Sequence, residues 1–247
     1  MIVFIGMETS GELRRRFQAA GHETYSCDTL PSEDNGEEMT FSDGLPMGRH
    51  LVGDVFETLD NLWANDLWPD LAIFHPTCTY LTNSAAWAFN DPDHDRYPGV
   101  GYHQRVRPDT LTGEARRAAR EQALNDVRRI IALPIARKVI ENPVGAISKA
   151  ICKPSQIIQP YQFGDDASKG TCLWYLDKDG NPLPSMALPL DPAKRVPGRM
   201  VNGVERWANQ TDSGQNRLSP GDDRWKDRSR TFPGIADAMA AAWGGRS

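Results

Sequence analysis

Asp70-Leu-Ala-Ile-Phe-His-Pro-Thr-Cys-Thr-Tyr-Leu-Thr82 is the stretch on which the reading of the fold turns. Its first part, Leu71–Phe74, is a short apolar run bounded by an acid and by His-Pro, the signature of a buried strand. Pro76 stops the strand, and Cys78 then falls on the loop at its carboxyl end. In open α/β sheets that edge is where ligands bind. A thiol held there is a candidate nucleophile, because a thiolate attacks readily and loops carry chemistry. The alternative is a half-buried structural cysteine, since cysteine is among the most buried residue types.

Upstream, Ile2-Val-Phe-Ile5 is a second apolar run and predicts a buried strand. A turn from Gly6 to Gly11 follows, then a helix over 12–20 with Leu13 and Phe17 one turn apart. Thr9 or Ser10 is placed to cap it and Gly21 to end it. Residues 22–28 form the next strand and finish on Asp28. Strand, glycine-containing turn, helix and strand with a terminal carboxylate is the shape of a nucleoside-cofactor half-site, the acid accepting the ribose hydroxyls. The turn is not a Gly-x-Gly-x-x-Gly motif, and an ordinary turn with a solvated Asp28 remains open.

Residues 31–50 are polar and predict a surface loop. A short strand is expected over 51–55 and a helix over 56–67, with Leu59, Leu62 and Trp63 on one face. The segment 83–101 is rich in Asn, Asp, Pro and aromatic residues and reads as a lid, a binding loop or a surface excursion. Residues 114–133 carry an apolar stripe against an arginine-rich face and predict the clearest helix. A strand over 137–140 brings Glu141-Asn142-Pro143 to its carboxyl end, on the same sheet edge as Cys78. Two further strands, around 157–158 and 171–176, read as a hairpin. Residues 178–223 show almost no periodicity and are assigned to loops. A final helix over 235–243 aligns Ile235, Met239 and Trp243.

The 247 residues allow one large domain with a small appendage: a core over 1–177, an irregular segment over 178–223 and a closing segment over 224–247. The chain is 39% hydrophobic and 25% charged, as expected of a globular protein. No run is long and apolar enough to span a bilayer, and the N-terminus lacks a signal-peptide pattern. The four cysteines, at 27, 78, 152 and 172, make no CxxC, which points to reduced thiols in a cytoplasmic setting and no metal site. A formal net charge of −5 argues against a large non-specific nucleic-acid binder. The arginines are nevertheless clustered, at 14–16, 116–120, 128–129 and 224–230, as solvated helix faces or as phosphate contacts.

Taken in order, these pieces resemble the DNA cytosine-5 methyltransferase superfamily, including its short phage-type members. Phe4-Ile-Gly6 through Gly11, with Glu8 inside, resembles the family's cofactor loop. Asp28 falls where the family has a ribose-binding acid, and Gly53-Asp54-Val55 resembles the segment whose acid holds the adenine. Pro76-Thr-Cys78 resembles the nucleophile motif, with Thr79 in place of the usual Gln. Glu141-Asn142-Pro143 resembles the motif carrying the cytosine-contacting Glu. The stretch from Arg230 through Met239 resembles the last motif, where the C-terminal helix returns to the cofactor site. No Gln-x-Arg-x-Arg motif is present; Lys169 and Thr171 lie nearest to its place. The resemblance implies a Rossmann-like α/β fold with a mixed, mostly parallel sheet and S-adenosylmethionine or a derivative as cofactor. It implies methyl transfer to cytosine carbon-5 in single- or double-stranded DNA, in a bacterial host if the chain is phage-encoded. Cys78 would be the nucleophile and Glu141 the group at N3, protonated or sharing a proton with the base, with Asn142 positioning the loop. Arg228 and Arg230 would be backbone contacts.

Other readings stay open. The same thiol and carboxylate could modify a pyrimidine with a carboxylated S-adenosylmethionine or a folate donor, or act on free nucleotide. A non-catalytic methyltransferase-like protein that binds DNA is a different class, and intact Cys78 and Glu141 speak against it. A dehydrogenase-type dinucleotide fold is disfavoured by the loose glycine loop and by Pro-x-Cys.

Overall fold

In a computed structural model, residues 1–36, 41–42, 45–46, 48–90, 110–218 and 229–245 are described. The apolar runs form the strands that their composition dictates. β1 (Ile2–Gly6), β2 (Glu23–Asp28), β5 (His50–Val52), β6 (Leu71–Phe74) and β7 (Lys138–Pro143) lie parallel, in the order β5-β2-β1-β6-β7. β9 (Thr171–Leu176) pairs antiparallel with β7, and β8 (Gln156–Ile158) closes that edge of the seven-stranded sheet. Two minor pairs stand apart, β3 (Phe41–Ser42) with β4 (Leu45–Pro46), and β10 (Arg199–Val201) with β11 (Val204–Arg206). The fold is α/β, with a mostly parallel sheet flanked by helices.

Strand alternation splits the core between the two faces. Phe4, Ala72, Phe74, Ile140 and Trp174 point to one face, under α2 (Val55–Ala64) and α4 (Gly113–Ala132). Val3, Ile5, Leu71, Ile73, Val139 and Tyr175 point to the other, under α1 (Glu12–Ala19) and α6 (Pro233–Trp243). Each fully buried side chain of this size contributes about 1.5–3 kcal/mol. α4 turns Leu124, Val127 and Ile130 inward, as its stripe predicts. Its last carbonyls would be orphaned where Pro134 ends it. The buried Lys138 reaches across from β7 and donates to Ile131 O at 2.7 Å and to Leu133 O. α1 packs on α6, so the end of the described chain lies against its beginning.

The structure departs from the sequence reading in several elements. The strand expected over 137–140 runs on to Pro143, because β9 pairs alongside Glu141, Asn142 and Pro143. The strand expected over 51–55 stops at Val52, and Asp54 instead caps α2, its Oδ1 accepting the N–H of Phe56 at 2.9 Å and of Glu57 at 3.2 Å. Neither Thr9 nor Ser10 holds the cap position of α1; Gly11 does, at φ 68°. Within 178–218 the chain forms 3₁₀ turns and the hairpin β10–β11, turned by Asn202 and Gly203, both in the left-handed region. Most of the expected lid segment and Arg224 to Arg228 fall outside the described residues. No helix among the described residues is long and apolar enough to cross a membrane.

Candidate active site

Strand order reverses at β1: the chain passes to β2 on one side and to β6 on the other. Such a switch point opens a crevice at the carboxyl ends of the strands. Here it is a cleft of about 870 Å³. Its walls are the turn after β1, Asp28 at the end of β2, the loop after β6, the last residues of β7 and the loop leading into β9. β9 runs opposite to β7, so its beginning, not its end, reaches this edge.

The β1–α1 turn is bent tightly. Met7 sits at φ 62°, and its N–H and that of Glu8 both donate to Cys27 O, at 2.6 and 3.1 Å. A non-glycine residue held there costs about 1–3 kcal/mol and marks a turn that the surroundings enforce. Glu8 folds into the turn and is 8% exposed. It accepts the Ser10 hydroxyl and, at 3.2 Å, the Gly11 N–H, while Ser10 Oγ accepts the N–H of Glu12. A helix start of this kind ordinarily attracts a ligand's anion. Here an internal carboxylate already takes the Gly11 N–H at the cap position, so the turn brings an acidic side chain to the cleft.

Asp28 and Pro76 line the same cleft. Asp28 Oδ1 accepts the Leu30 N–H at 3.0 Å. The loop after β2 folds over the turn: the Glu33 N–H donates to Thr9 O at 2.8 Å, and Arg230 pairs with the Glu33 carboxylate. Arg230 and Phe232 thereby bring the segment before α6 to the cleft.

Cys78 opens the short helix α3 (Cys78–Leu81) and lines the cleft with Thr79. Two neighbours fix this helix. From β7, Asn142, 1% exposed, donates through Nδ2 to Pro76 O at 2.7 Å. From α4, Arg116 donates to Thr79 O at 3.0 Å, and Arg120 donates to Tyr80 O at 2.7 Å and Thr82 O at 3.3 Å. The Arg120 guanidinium lies 3.5 Å from the centroid of the Phe89 ring. This arginine cluster serves the backbone of α3 rather than forming a solvated face. None of the four cysteines forms a disulfide.

Glu141 is the buried member of the pair, 8% exposed on β7. Its Oε2 lies 3.2 Å from His75 Nδ1, at the end of β6. Burial alone pushes the carboxyl pKa up, but the His75 hydrogen bond and the nearby Lys169 charge outweigh it, and the net direction is down. Both contacts favour the carboxylate form. The sequence reading expects Glu141 to be protonated or to share a proton with the base, which concerns the complex with substrate. On β9, burial first and Glu141 second push the Cys172 thiol up to about 11.

Thus Glu8, Asp28, Pro76, Cys78, Thr79, Glu141, Asn142, Lys169 and Arg230 meet on one cleft. Phe4, Gly6, Gly11, Asp54 and Thr171 are not among its lining residues. Phe4 is wholly buried against Phe74. A Cβ at Gly6 would meet Val55 and Phe74 at under 3 Å. Gly11 begins α1, and Asp54 caps α2. Thr171, 2% exposed, donates to Lys169 O at 3.1 Å. Arg228 lies outside the described residues. His75 was missed, although its place at the carboxyl end of β6 was a signal: any side chain there faces the same edge as Cys78.

No group of three or more metal-ligating side chains is found among the described residues. In comparisons with known proteins, no family model matches the chain and no curated protein matches it. A solved structure from E. coli, described as a candidate DNA modification methyltransferase encoded within a prophage, is similar at 13% identity with a TM-score of 0.42. The match covers 72% of this chain and 47% of that one, so the chain spans about half the length of that relative.

Proposed function

We propose that this chain transfers a methyl group from S-adenosylmethionine to carbon-5 of cytosine in DNA, through a covalent adduct on Cys78. One observation carries the reading: Cys78 after β6 and Glu141 on β7 open on the same cleft as the acidic β1–α1 turn. A nucleophile, a group for the base's N3 and a cation-favouring cofactor wall are then in one place. The turn suits the donor's positive sulfonium and ammonium groups better than a dinucleotide's pyrophosphate, because Glu8 brings an acidic side chain to the start of α1. Asp28 at the end of β2 suits ribose hydroxyls.

S-adenosylmethionine supplies an electrophilic methyl group when bound. The chain's own residues do the rest. Cys78 Sγ adds as thiolate to carbon-6 of the base, and the carbon-5–carbon-6 π pair becomes nucleophilic at carbon-5. Negative charge that develops at N3 is met by a proton delivered through Glu141. After methyl transfer, the carbon-5 proton passes to solvent, the double bond re-forms, Cys78 leaves as thiolate, and N3 returns its proton to Glu141. Asn142, Arg116 and Arg120 hold the backbone on either side of Cys78. In a duplex the base must leave the stack, because carbon-6 is not accessible within it.

Intact-mass analysis after incubation with S-adenosylmethionine and DNA containing 5-fluorocytosine tests this directly. Fluorine at carbon-5 blocks elimination, so an adduct that requires cofactor and is absent in Cys78→Ala is expected. Its mass identifies the transferred group, distinguishing methyl from a carboxylated or folate-derived unit. Cofactor binding without adduct on duplex, single strand or free nucleotide would sink the reading and favour a binding protein.

A further inference from the structure

The His75–Glu141 contact has no part in the motifs that suggested the reaction, and it constrains what the cleft accepts. His75 Nδ1 faces a carboxylate oxygen, which offers only lone pairs, so Nδ1 carries the hydrogen. Nε2 of the same ring is buried and has no hydrogen-bond partner among the described residues. The residue's main chain is tied to β1, its N–H donating to Gly6 O at 3.0 Å. Glu141 is thus held from β6 by a donor on a rigid mount. The charged or titratable groups that face it from the other packed elements are Lys169, from the loop before β9, and Cys172, on β9.

An ionised carboxylate matches a donor on the incoming base, and cytosine N3 is an acceptor. The neighbouring N4 amino group can donate to the carboxylate as it stands, but cytosine N3 can engage Glu141 only if a proton arrives with it. A base with N3–H, such as uracil, needs none. We propose that His75 is a positioning residue that holds Glu141 as an acceptor, so that attack on the target cytosine, which needs a proton at N3, is coupled to uptake of one proton. This rests on the reading above and gives Glu141 a partner. The proton comes from solvent, resides on Glu141, passes to N3 as the Sγ–carbon-6 bond forms, and returns when that bond breaks.

The test compares adduct rates for 5-fluorocytosine and 5-fluorouracil in the same DNA context, from about pH 5.5 to about pH 7.5, a window above the ordinary carboxylate range. Thiolate formation on Cys78 affects both bases, so their ratio isolates the proton. In the wild type the cytosine-to-uracil ratio should fall about tenfold per pH unit, the slope for one proton. His75→Leu removes the donor and lets Glu141 rise, so the fall should begin at higher pH. His75→Asn returns an N–H near the Nδ1 position and should restore the wild-type curve. That variant also separates the two possible titrating groups: were His75 itself the titrating group, Asn and Leu would behave alike. Glu141→Gln should make the ratio independent of pH.

A flat ratio in the wild type, or identical curves for wild type and His75→Leu, overturns the proposal while adduct formation leaves the methyl-transfer reading standing. No adduct with either base overturns both. Should His75→Leu not fold, His75→Phe, which keeps a ring without a donor, takes its place against His75→Asn; a purely structural His75 would leave its curve on that of the wild type.

Discussion

On the proposed reading, Glu8 is the side chain that would set the charge of the ligand. It satisfies the Gly11 N–H and the Ser10 hydroxyl and still borders the cleft. Glu8→Gln keeps the size and most of the hydrogen-bonding shape but removes the charge. We expect it to weaken S-adenosylmethionine binding about tenfold, equivalent to about 1.4 kcal/mol, with little change in thermal stability. Isothermal titration calorimetry measures this, and unchanged affinity would remove Glu8 from the cofactor wall. At this scale the sequence was legible where chemistry is distinctive. A cysteine after a strand-ending proline and a glutamate at another strand's end both declare themselves. His75 did not, because a histidine before proline reads as a strand stop, and its partner is 66 residues away. Asp54 was ambiguous in the same way: an acid before a helix can cap it or hold a ligand, and here both cap bonds are made.

At the scale of elements, α3 is a four-residue helix that packing must hold in place, since so short a helix has little stability of its own. Arg116 and Arg120 hold it from α4, by hydrogen bonds to two of its carbonyls, at Thr79 and Tyr80, and to that of Thr82 just after it, while Arg116 also donates to Leu111 O. Desolvation lowers the pKa of both guanidiniums. Arg120→Met keeps the aliphatic stem and removes two donors. Hydrogen bonds from charged groups contribute about 1.5–3 kcal/mol. We expect slower adduct formation at Cys78, with S-adenosylmethionine affinity unchanged, read by intact mass and calorimetry on the same preparation. Equal rates would show that α4 does not position the nucleophile. Strands and long helices were legible because burial imposes period two or 3.6 on their residues. The extension of β7 through Asn142 and Pro143 was not, because it depends on β9 lying beside it, a pairing between distant segments.

For the whole molecule, the N-terminal arginine cluster proves to be structural. Arg14 and Arg15 pair with Asp34, Arg15 and Arg16 with Glu12, and Arg16 with Asp237. These side chains bind the loop after β2 and helix α6 to α1. The sequence showed the charges but not their partners, which lie as far as 221 positions along the chain. The sheet order was equally hidden, although the number and type of its main strands were readable.

The packing of α6 on α1 also sets an order of events in time. Arg230 reaches Glu33, Asp237 reaches Arg16, and His22 Nε2 lies 2.7 Å from Gly244 O. The cleft is therefore lined by residues from early in the described chain, Met7 to Ser10, and from late in it, Arg230 and Phe232, which these contacts hold together. The strands between them can pair during synthesis, but the cleft gains its last wall only when the C-terminal helix is free to dock. Ribosome-stalled chains with that helix still in the exit tunnel should fail to bind labelled S-adenosylmethionine, and puromycin release should restore binding without further synthesis. Equal binding before and after release would mean that the cleft forms without α6. By this route the cleft would close only once the segment carrying α6 had left the tunnel.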